Sequence, residues 1–177
     1  MTLQLSEPYQ HLLLPLFERL PLERAMSRLL VPAKHERLPE AELVEQIVAD
    51  DSLADRPELA AGLWLYVDDL DRSHRLSQRL DSPTGAFWHA IMHRREGDFS
   101  NSKHWFRRTG HHPVMSRISV AGGSAGAGTT IGEYEPFAFV DRVQRACAAG
   151  GDGRDWPDLV AMQRREWRAL FEWCTEH

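Results

Sequence analysis

The sequence of 177 residues lacks several features that would narrow its function. It has only two cysteines, Cys147 and Cys174, and they are not spaced as a CxxC pair. We expect both to be reduced, packed thiols in a cytoplasmic protein. No apolar run approaches the roughly 20 residues that a membrane helix needs, and no basic start, apolar run and small-residue cleavage site follow one another. The prediction is a cytoplasmic protein with no membrane association.

Several catalytic patterns are also missing. His89 and His93 form an HxxxH pair, but Ala90 stands where the HExxH motif of zinc proteases has its glutamate. The stretch GGSAGAGTT lacks the lysine of a phosphate-binding loop, so we interpret the glycine-rich segment 121–132 as a linker. No Ser-His-Asp or Cys-His arrangement is indicated. No strand pair is convincing either, although RISV and TTIGEY leave a small hairpin open as an alternative.

Charge is unevenly distributed along the chain. The net charge is −5, yet residues 72–112 carry eight Lys or Arg against three acids, which is +5, and leave −10 for the remainder. Six of the nine histidines lie in the same segment. A local basic field in an acidic protein suits a small anionic ligand better than nucleic acid, because nucleic-acid-binding domains are usually basic overall. A solvated arginine-rich surface is the alternative.

Periodicity predicts a single, all-α domain of antiparallel helical hairpins over residues 1–177. Five prolines should break residues 1–57 into short helices: Pro8, Pro15, Pro21, Pro32 and Pro39. Residues 58–113 hold the core hairpins. Pro57 opens a helical segment that runs towards Leu80, a second helix covers 86–96, and a third, capped by Ser100, ends near Thr109. Residues 133–177 supply the C-terminal helices, opened by Pro136 and Pro157.

A faint internal repeat lies in the middle of the chain. Residues 68–83 align with residues 97–113, which pairs Asp69 with Asp98 and Ser73 with Ser102. Each copy follows an apolar helix and ends in proline. The pattern resembles the second half of a tetratricopeptide-type hairpin, although the interval from Asp69 to Asp98 is shorter than the period of that family. The resemblance implies stacked antiparallel helices.

The helix over 86–96 has almost no ordinary solvent face. On a helical wheel its apolar side chains fill an arc of about 140°, and His89, His93 and Glu96 lie together within about 60° just beyond it. Polar side chains on such a helix should be buried, and buried polar groups need partners. This polar group is the candidate site of the sequence.

One interpretation of the candidate site is a divalent transition metal as cofactor. Histidines at positions i and i+4 point the same way and can share an ion. Glu96 would add an oxygen ligand on the same face, and His74 on the preceding helix, or His111 or His112, would add another nitrogen. The sequence leaves open which of His111 and His112 points inward.

A second interpretation is a small anionic ligand, with catalysis left open. The ligand would be held by Arg94, Arg95, Arg107 and Asp98 between Trp88 and Trp105. His89 or His93 would then act as the acid or base, oriented by Glu96.

Two non-catalytic alternatives remain at this stage. The polar cluster can be a structural network that locks two hairpins together, with Arg95 paired to Asp98 or Asp69. Alternatively, the chain binds a protein partner along a concave helical face. The pattern does not choose between them.

The run FWHAIMHRREGDFSNSKHWFRRTGHHP, with LSQRLDSPTG before it and EPFAFVD and EWRALFEWC after it, resembles a family of short bacterial and fungal proteins with a WHxIMHRREGD-type motif. The resemblance covers roughly residues 60–175. That family carries no assigned activity, so the resemblance implies no catalytic role for any residue.

Overall fold

The computed structural model describes residues 3–7, 9–118, 134–150 and 156–177. All the regular secondary structure of these residues is helical, which confirms the predicted fold class. The glycine-rich segment 121–132 and most of the alternative hairpin lie outside the described residues. The helices of the described ranges are α1 Tyr9–Arg19, α2 Glu40–Val48, α3 Pro57–Tyr66, α4 Leu70–Ser77, α5 Pro83–Glu96, α6 Phe99–Thr109, α7 Pro136–Ala148 and α8 Trp156–Glu176, with 3₁₀ turns at Asp51–Leu53 and Pro113–Arg117.

The prediction that Pro15 breaks the first helix is wrong, because Pro15 lies inside α1. Its ring is exposed, whereas Leu13 and Leu16 on either side are completely buried. The two leucines anchor α1 to the core on both sides of the proline. Core packing therefore outweighs the backbone hydrogen bond that proline cannot make.

The segment from Pro57 to Leu80 forms two antiparallel helices with a sharp turn between them. Asp68 has a left-handed backbone (φ 62°), which ends α3. The side chain of Asp69 then accepts a hydrogen bond from the backbone N–H of Arg72 and caps α4.

The next hairpin repeats this turn at the interval of the predicted repeat. Gly97, also left-handed (φ 93°), ends α5, and the side chain of Asp98 accepts from the N–H of Asn101 at the start of α6. The cap of α6 is therefore Asp98 and not Ser100 as predicted. The carboxylate reaches the third residue of the helix, which is the geometry of an N-cap.

In each hairpin, one buried serine joins the two helices, and it does so in the same way in both. The hydroxyl of Ser73 donates to the carbonyl of Ala61 at 2.9 Å, and that of Ser102 donates to the carbonyl of Ala90 at 2.8 Å. The donor and the acceptor of the second bond each follow those of the first along the chain by the interval that separates Asp69 from Asp98. Hairpins α3–α4 and α5–α6 are therefore two copies of one local structure.

Helix α8 closes the core against both hairpins. The indole N–H of Trp167 donates to the carbonyl of Gly62 at 2.8 Å. A Cβ added at Gly62 would lie 2.9 Å from ring carbons of both Phe171 and Trp88, so only glycine fits there. None of the helices in the described ranges has the combined length and apolar character needed to cross a bilayer.

We predict that Ser73→Ala and Ser102→Ala destabilise the protein by similar amounts, about 0.5–1.5 kcal/mol each, because each removes an equivalent buried hydrogen bond. Urea denaturation measures both. Ser116→Ala is the control, since the Ser116 hydroxyl is exposed and donates to Pro113 within its own turn. A cost for only one of the buried serines would contradict the equivalence of the hairpins.

Candidate functional site

The histidines and arginines of α5 are buried, as the sequence predicted, whereas the prediction is wrong for Glu96. His89 is 2% exposed, His93 is 4% exposed, and Arg94 and Arg95 are fully buried. Glu96 and Asp98 are exposed at the C-terminal end of the helix. Four polar side chains in one buried stretch of helix therefore require partners from other helices.

Three of the predicted residues meet in one cluster between α4 and α5. The ring centroids of His89 and His93 are 4.6 Å apart, and His74 lies 4.8 Å from His89 and 5.2 Å from His93. One ring nitrogen from each histidine lies within 4.8 Å of the other two. The packing of α4 against α5 thus turns an HxxxH pair into a three-histidine group.

The imidazole of His89 has no hydrogen-bond partner at either ring nitrogen, although it is buried. The indole of Trp105 stacks on it with ring centroids 3.9 Å apart. Burial, with His93 and His74 adding to the effect, lowers the pKa of His89 to about 3. At neutral pH His89 is therefore an uncharged ring with a free lone pair inside the protein.

His93 is oriented by two neighbours. Its Nδ1 lies 2.5 Å from a carboxylate oxygen of Glu96, and its Nε2 lies 3.1 Å from the side-chain nitrogen of Asn101. The carboxylate only accepts hydrogen bonds when ionised, so Nδ1 carries the proton and Nε2 keeps the lone pair. Glu96 therefore fixes the tautomer of His93.

His74 forms the solvent side of the cluster. Its side chain is half-buried, whereas those of His89 and His93 are buried. Burial, followed by the field of His93, lowers the pKa of His74. Together with His89, it presents a second uncharged imidazole at neutral pH.

Arg94 points away from the histidines and into the core. Its guanidinium makes a two-pronged ion pair with Glu166 of α8 and lies 4.4 Å from the ring centroid of Phe139. The hydroxyl of Tyr134 donates to the same carboxylate, and burial, with Glu166 adding to it, raises the pKa of Tyr134. This network ties α5 to α8, although Nε of Arg94 has no hydrogen-bond partner.

Arg95 is held on another side of α5. It donates to the carbonyl of Leu65 at 2.8 Å and to the carboxylate of Asp68 at 2.6 Å. The predicted pairing with Asp98 or Asp69 is therefore wrong. Asp98 and Asp69 cap α6 and α4, whereas the left-handed turn at Asp68 aims its carboxylate at Arg95.

The remaining residues of the predicted anion site are dispersed. Trp88 packs in the core against Gly62, Arg107 is exposed over the ring of Phe137, and Asp98 caps α6. Only Trp105 lies against the histidines. The three arginines are not brought together by the described structure.

The sequence left open which histidine of the pair at 111 and 112 points inward, and it is His112. The backbone N–H of Val114 donates to its Nδ1 at 3.2 Å, and its Nε2 lies 3.1 Å from the hydroxyl of Thr84. Burial lowers the pKa of His112 to about 4. His112 caps a turn and lies outside the three-histidine cluster.

A cavity of about 340 Å³ reaches Glu96, the hydrogen-bond partner of His93, although none of the three histidines lines it. It is bordered by Glu96 and by Leu70 and Asp71 of α4, which precede His74 by one helical turn. Its other lining residues include Val31, Val67, Asp69, His35 and Arg37. The cavity therefore combines an apolar base with three carboxylates, one imidazole and one guanidinium.

Asn101 is the site residue that sequence reasoning missed. It lies on a different helix from His93, so no periodicity within α5 reveals it. The internal repeat, however, indicates that these two positions are neighbours. The positions equivalent to His93 and Asn101 in the first hairpin are Trp64 and Arg72. These two side chains form a cation–π pair at 4.4 Å. These two positions therefore face each other in both hairpins.

Three comparisons, with protein-family models, with curated proteins and with solved structures, found no match to this chain. The resemblance to short bacterial and fungal proteins and the tetratricopeptide-type resemblance therefore stay predictions.

The unpartnered ring of His89 predicts an unusual mutational effect. In the metal-free protein, we expect His89→Leu to be neutral or to stabilise by up to about 2 kcal/mol, because it removes buried nitrogens without hydrogen bonds. His93→Leu, the matched control on the same helix face, should cost about 1–3 kcal/mol, since it leaves Asn101 and Glu96 without their partner. Thermal and urea unfolding after chelator treatment measure both. A comparable loss in both variants would show that His89 is a structural hydrogen-bonding residue.

We predict that His112 makes a contribution to the free energy of unfolding that is lost at acid pH. Its folded-state pKa of about 4 lies below the value near 6.5 of an unfolded histidine, so folding disfavours its protonation. Its contribution is complete above pH 6.5, falls as the pH drops, and levels off below pH 4, with a total of roughly 3 kcal/mol.

The variant that tests this contribution is His112→Asn, whose side chain can still accept from the N–H of Val114. Urea unfolding at several pH values should give a shallower decline between pH 6.5 and 4 than wild type shows. Identical slopes would refute the assignment. His89 titrates in the same direction in both proteins and cancels in the comparison.

Proposed function

We propose that this protein binds a divalent transition metal ion through His74, His89 and His93. The observation that carries the proposal is the buried imidazole of His89, which has no hydrogen-bond partner and faces two other histidines. A buried polar group without a partner costs about 1–3 kcal/mol. A metal ion would satisfy His89 and its two neighbours at once.

The surroundings of His93 support the same function. Metal-bound histidines usually donate their other ring N–H to a carboxylate, which fixes the tautomer and makes the free nitrogen a better ligand. Glu96 stands in that relation to His93. Nε2 would be the ligand atom, and the amide of Asn101 would move aside from it. Glu96 would then orient a ligand instead of being one.

The donor set restricts the metal. Three imidazole nitrogens suit zinc, copper, nickel and cobalt, whereas magnesium and calcium require oxygen ligands. Protons compete little, because burial keeps His89 and His74 uncharged at neutral pH. Nitrogens bound to one zinc ion at ~2.0–2.1 Å lie roughly 3.3 Å apart, so the three rings would close on the ion through side-chain rotations.

Titration of the tag-free, chelator-treated protein with cobalt and zinc tests the proposal. We expect one ion per chain by calorimetry, visible d–d absorption bands of bound cobalt, and a rise in melting temperature that grows with free metal concentration. His74→Ala, His89→Ala and His93→Ala should each abolish this binding. His111→Ala should retain it, because His111 is exposed and outside the cluster.

Glu96→Gln separates orientation from ligation. If Glu96 only orients His93, the variant should bind one ion with an affinity reduced roughly 10–100-fold. Equal metal binding by wild type and His89→Ala would contradict the three-histidine site. A folded wild type that binds neither cobalt nor zinc would contradict the metal function as a whole.

The alternative function is a non-enzymatic interaction protein whose polar residues are structural. The buried pairs Arg94–Glu166 and Arg95–Asp68 favour it for the arginine part of the cluster. It does not account for His89, which makes no hydrogen bond. The two free cysteines, Cys147 and Cys174, support a reducing compartment such as the cytoplasm for either function.

A further inference from the structure

The three-histidine group has no fourth protein ligand in the part of the chain that the structure describes. Glu96 and Asp98 come within sharing distance of His93, but neither they nor any other described carboxylate or cysteine reaches all three rings. Structural zinc sites are closed by four protein ligands, whereas catalytic sites have three and leave one position for water. The count at this site matches the catalytic type.

Resting on the proposed metal function, we propose that the metal at His74, His89 and His93 keeps one position for water, and that the site hydrolyses small, uncharged or cationic carboxylic esters. Three uncharged imidazoles leave the full charge of a divalent ion uncompensated. Such an ion polarises an ester carbonyl and brings the pKa of its bound water to about 7. Both effects lower the barrier to attack on an acyl carbon.

The cavity beside the site determines the substrate class. The half-buried side of the cluster, at His74, lies one helical turn from Asp71, which borders the cavity together with Glu96 and Asp69. The base of the cavity is apolar, formed by Val31, Val67 and Leu70. The cavity is also lined by His35 and Arg37, so its three carboxylates outnumber its one guanidinium. The net negative charge disfavours a doubly charged phosphate ester, and the apolar base accepts an acyl chain.

The reaction balances without an oxidant or reductant. Metal-bound water releases one proton to solvent, and the resulting hydroxide forms a C–O bond to the ester carbonyl carbon. The metal stabilises the oxyanion of the tetrahedral intermediate. Collapse breaks the bond to the leaving alkoxide, which takes the hydroxyl proton of the acid product. The carboxylate and the alcohol then leave, and a new water binds. Glu96 acts as a positioning residue through Nδ1 of His93.

Hydrolysis of 4-nitrophenyl acetate by the zinc-loaded, tag-free protein tests the activity. We expect at least a roughly 10-fold higher rate than that of the metal-free protein and of His89→Ala in the same zinc concentration, with a rate that rises through an apparent pKa near 7. His111→Ala should keep the full rate. Acetylcholine, a cationic carboxylic ester, should be hydrolysed as well, and 4-nitrophenyl phosphate should not.

Azide added to the cobalt-loaded protein tests the open position independently of activity. A shift of the cobalt absorption bands is expected, because an anion can replace the bound water. If cobalt binds through the three histidines but azide leaves its spectrum unchanged, the site is closed and the hydrolytic inference is wrong, while the metal site stands.

The hydrolysis assay has its own contradicting outcomes. Metal-dependent turnover no higher than that of zinc-treated His89→Ala overturns the hydrolytic inference and leaves the metal site standing. Hydrolysis of the phosphate ester in preference to the acetate overturns the substrate class. No metal binding at all overturns both proposals.

Discussion

The burial of α5 on all sides is the constraint on which the rest of the structure depends. A helix with the sequence His-Arg-Arg inside a protein must satisfy every polar group that it carries. The terminal guanidinium nitrogens of Arg94 bond to Glu166 of α8, and those of Arg95 bond to Asp68 and to the carbonyl of Leu65 at the end of α3. The Nε atom of each arginine has no partner. These pairs determine how α5 sits against its neighbours. The ring of His89 is left without a hydrogen bond, and it lies where two other histidines converge.

The two hairpins show how such a site can arise on a structural unit that does not need it. Positions 60, 64 and 72 of the first hairpin hold Ala, Trp and Arg, and the equivalent positions of the second hold His89, His93 and Asn101. The first hairpin uses Trp64 and Arg72 for a cation–π contact. In the second, the same positions bring a histidine and an amide together. The turn geometry is constant, so the difference between packing and ligand binding lies in the side chains.

The proposed functions follow from which buried polar groups have hydrogen-bond partners and which do not. In the buried pair of Arg94 and Glu166 both carboxylate oxygens are already hydrogen-bonded, so neither is free for a ligand. His89, in contrast, has no hydrogen-bond partner, a carboxylate orients His93, and a cavity borders that carboxylate. The histidine part of the predicted cluster therefore supports ligand chemistry, and the arginine part supports the fold.

The sequence by itself determined the local features of this protein. Helical periodicity and caps indicated the all-α fold and the break at Gly97, and they placed His89, His93 and Glu96 on one face of α5, because these depend on residues a few positions apart. The matching positions of Asp69 and Asp98, which cap α4 and α6, also made the internal repeat visible.

Only the tertiary structure decided which polar residues share a site. The partner of Arg94 is 72 residues away, and Asn101 reaches His93 only because α6 folds back along α5. The distance from His74 to His89 depends on the packing of α4 against α5. Contacts between helices are set by the shape of the whole core, and no short sequence pattern encodes them.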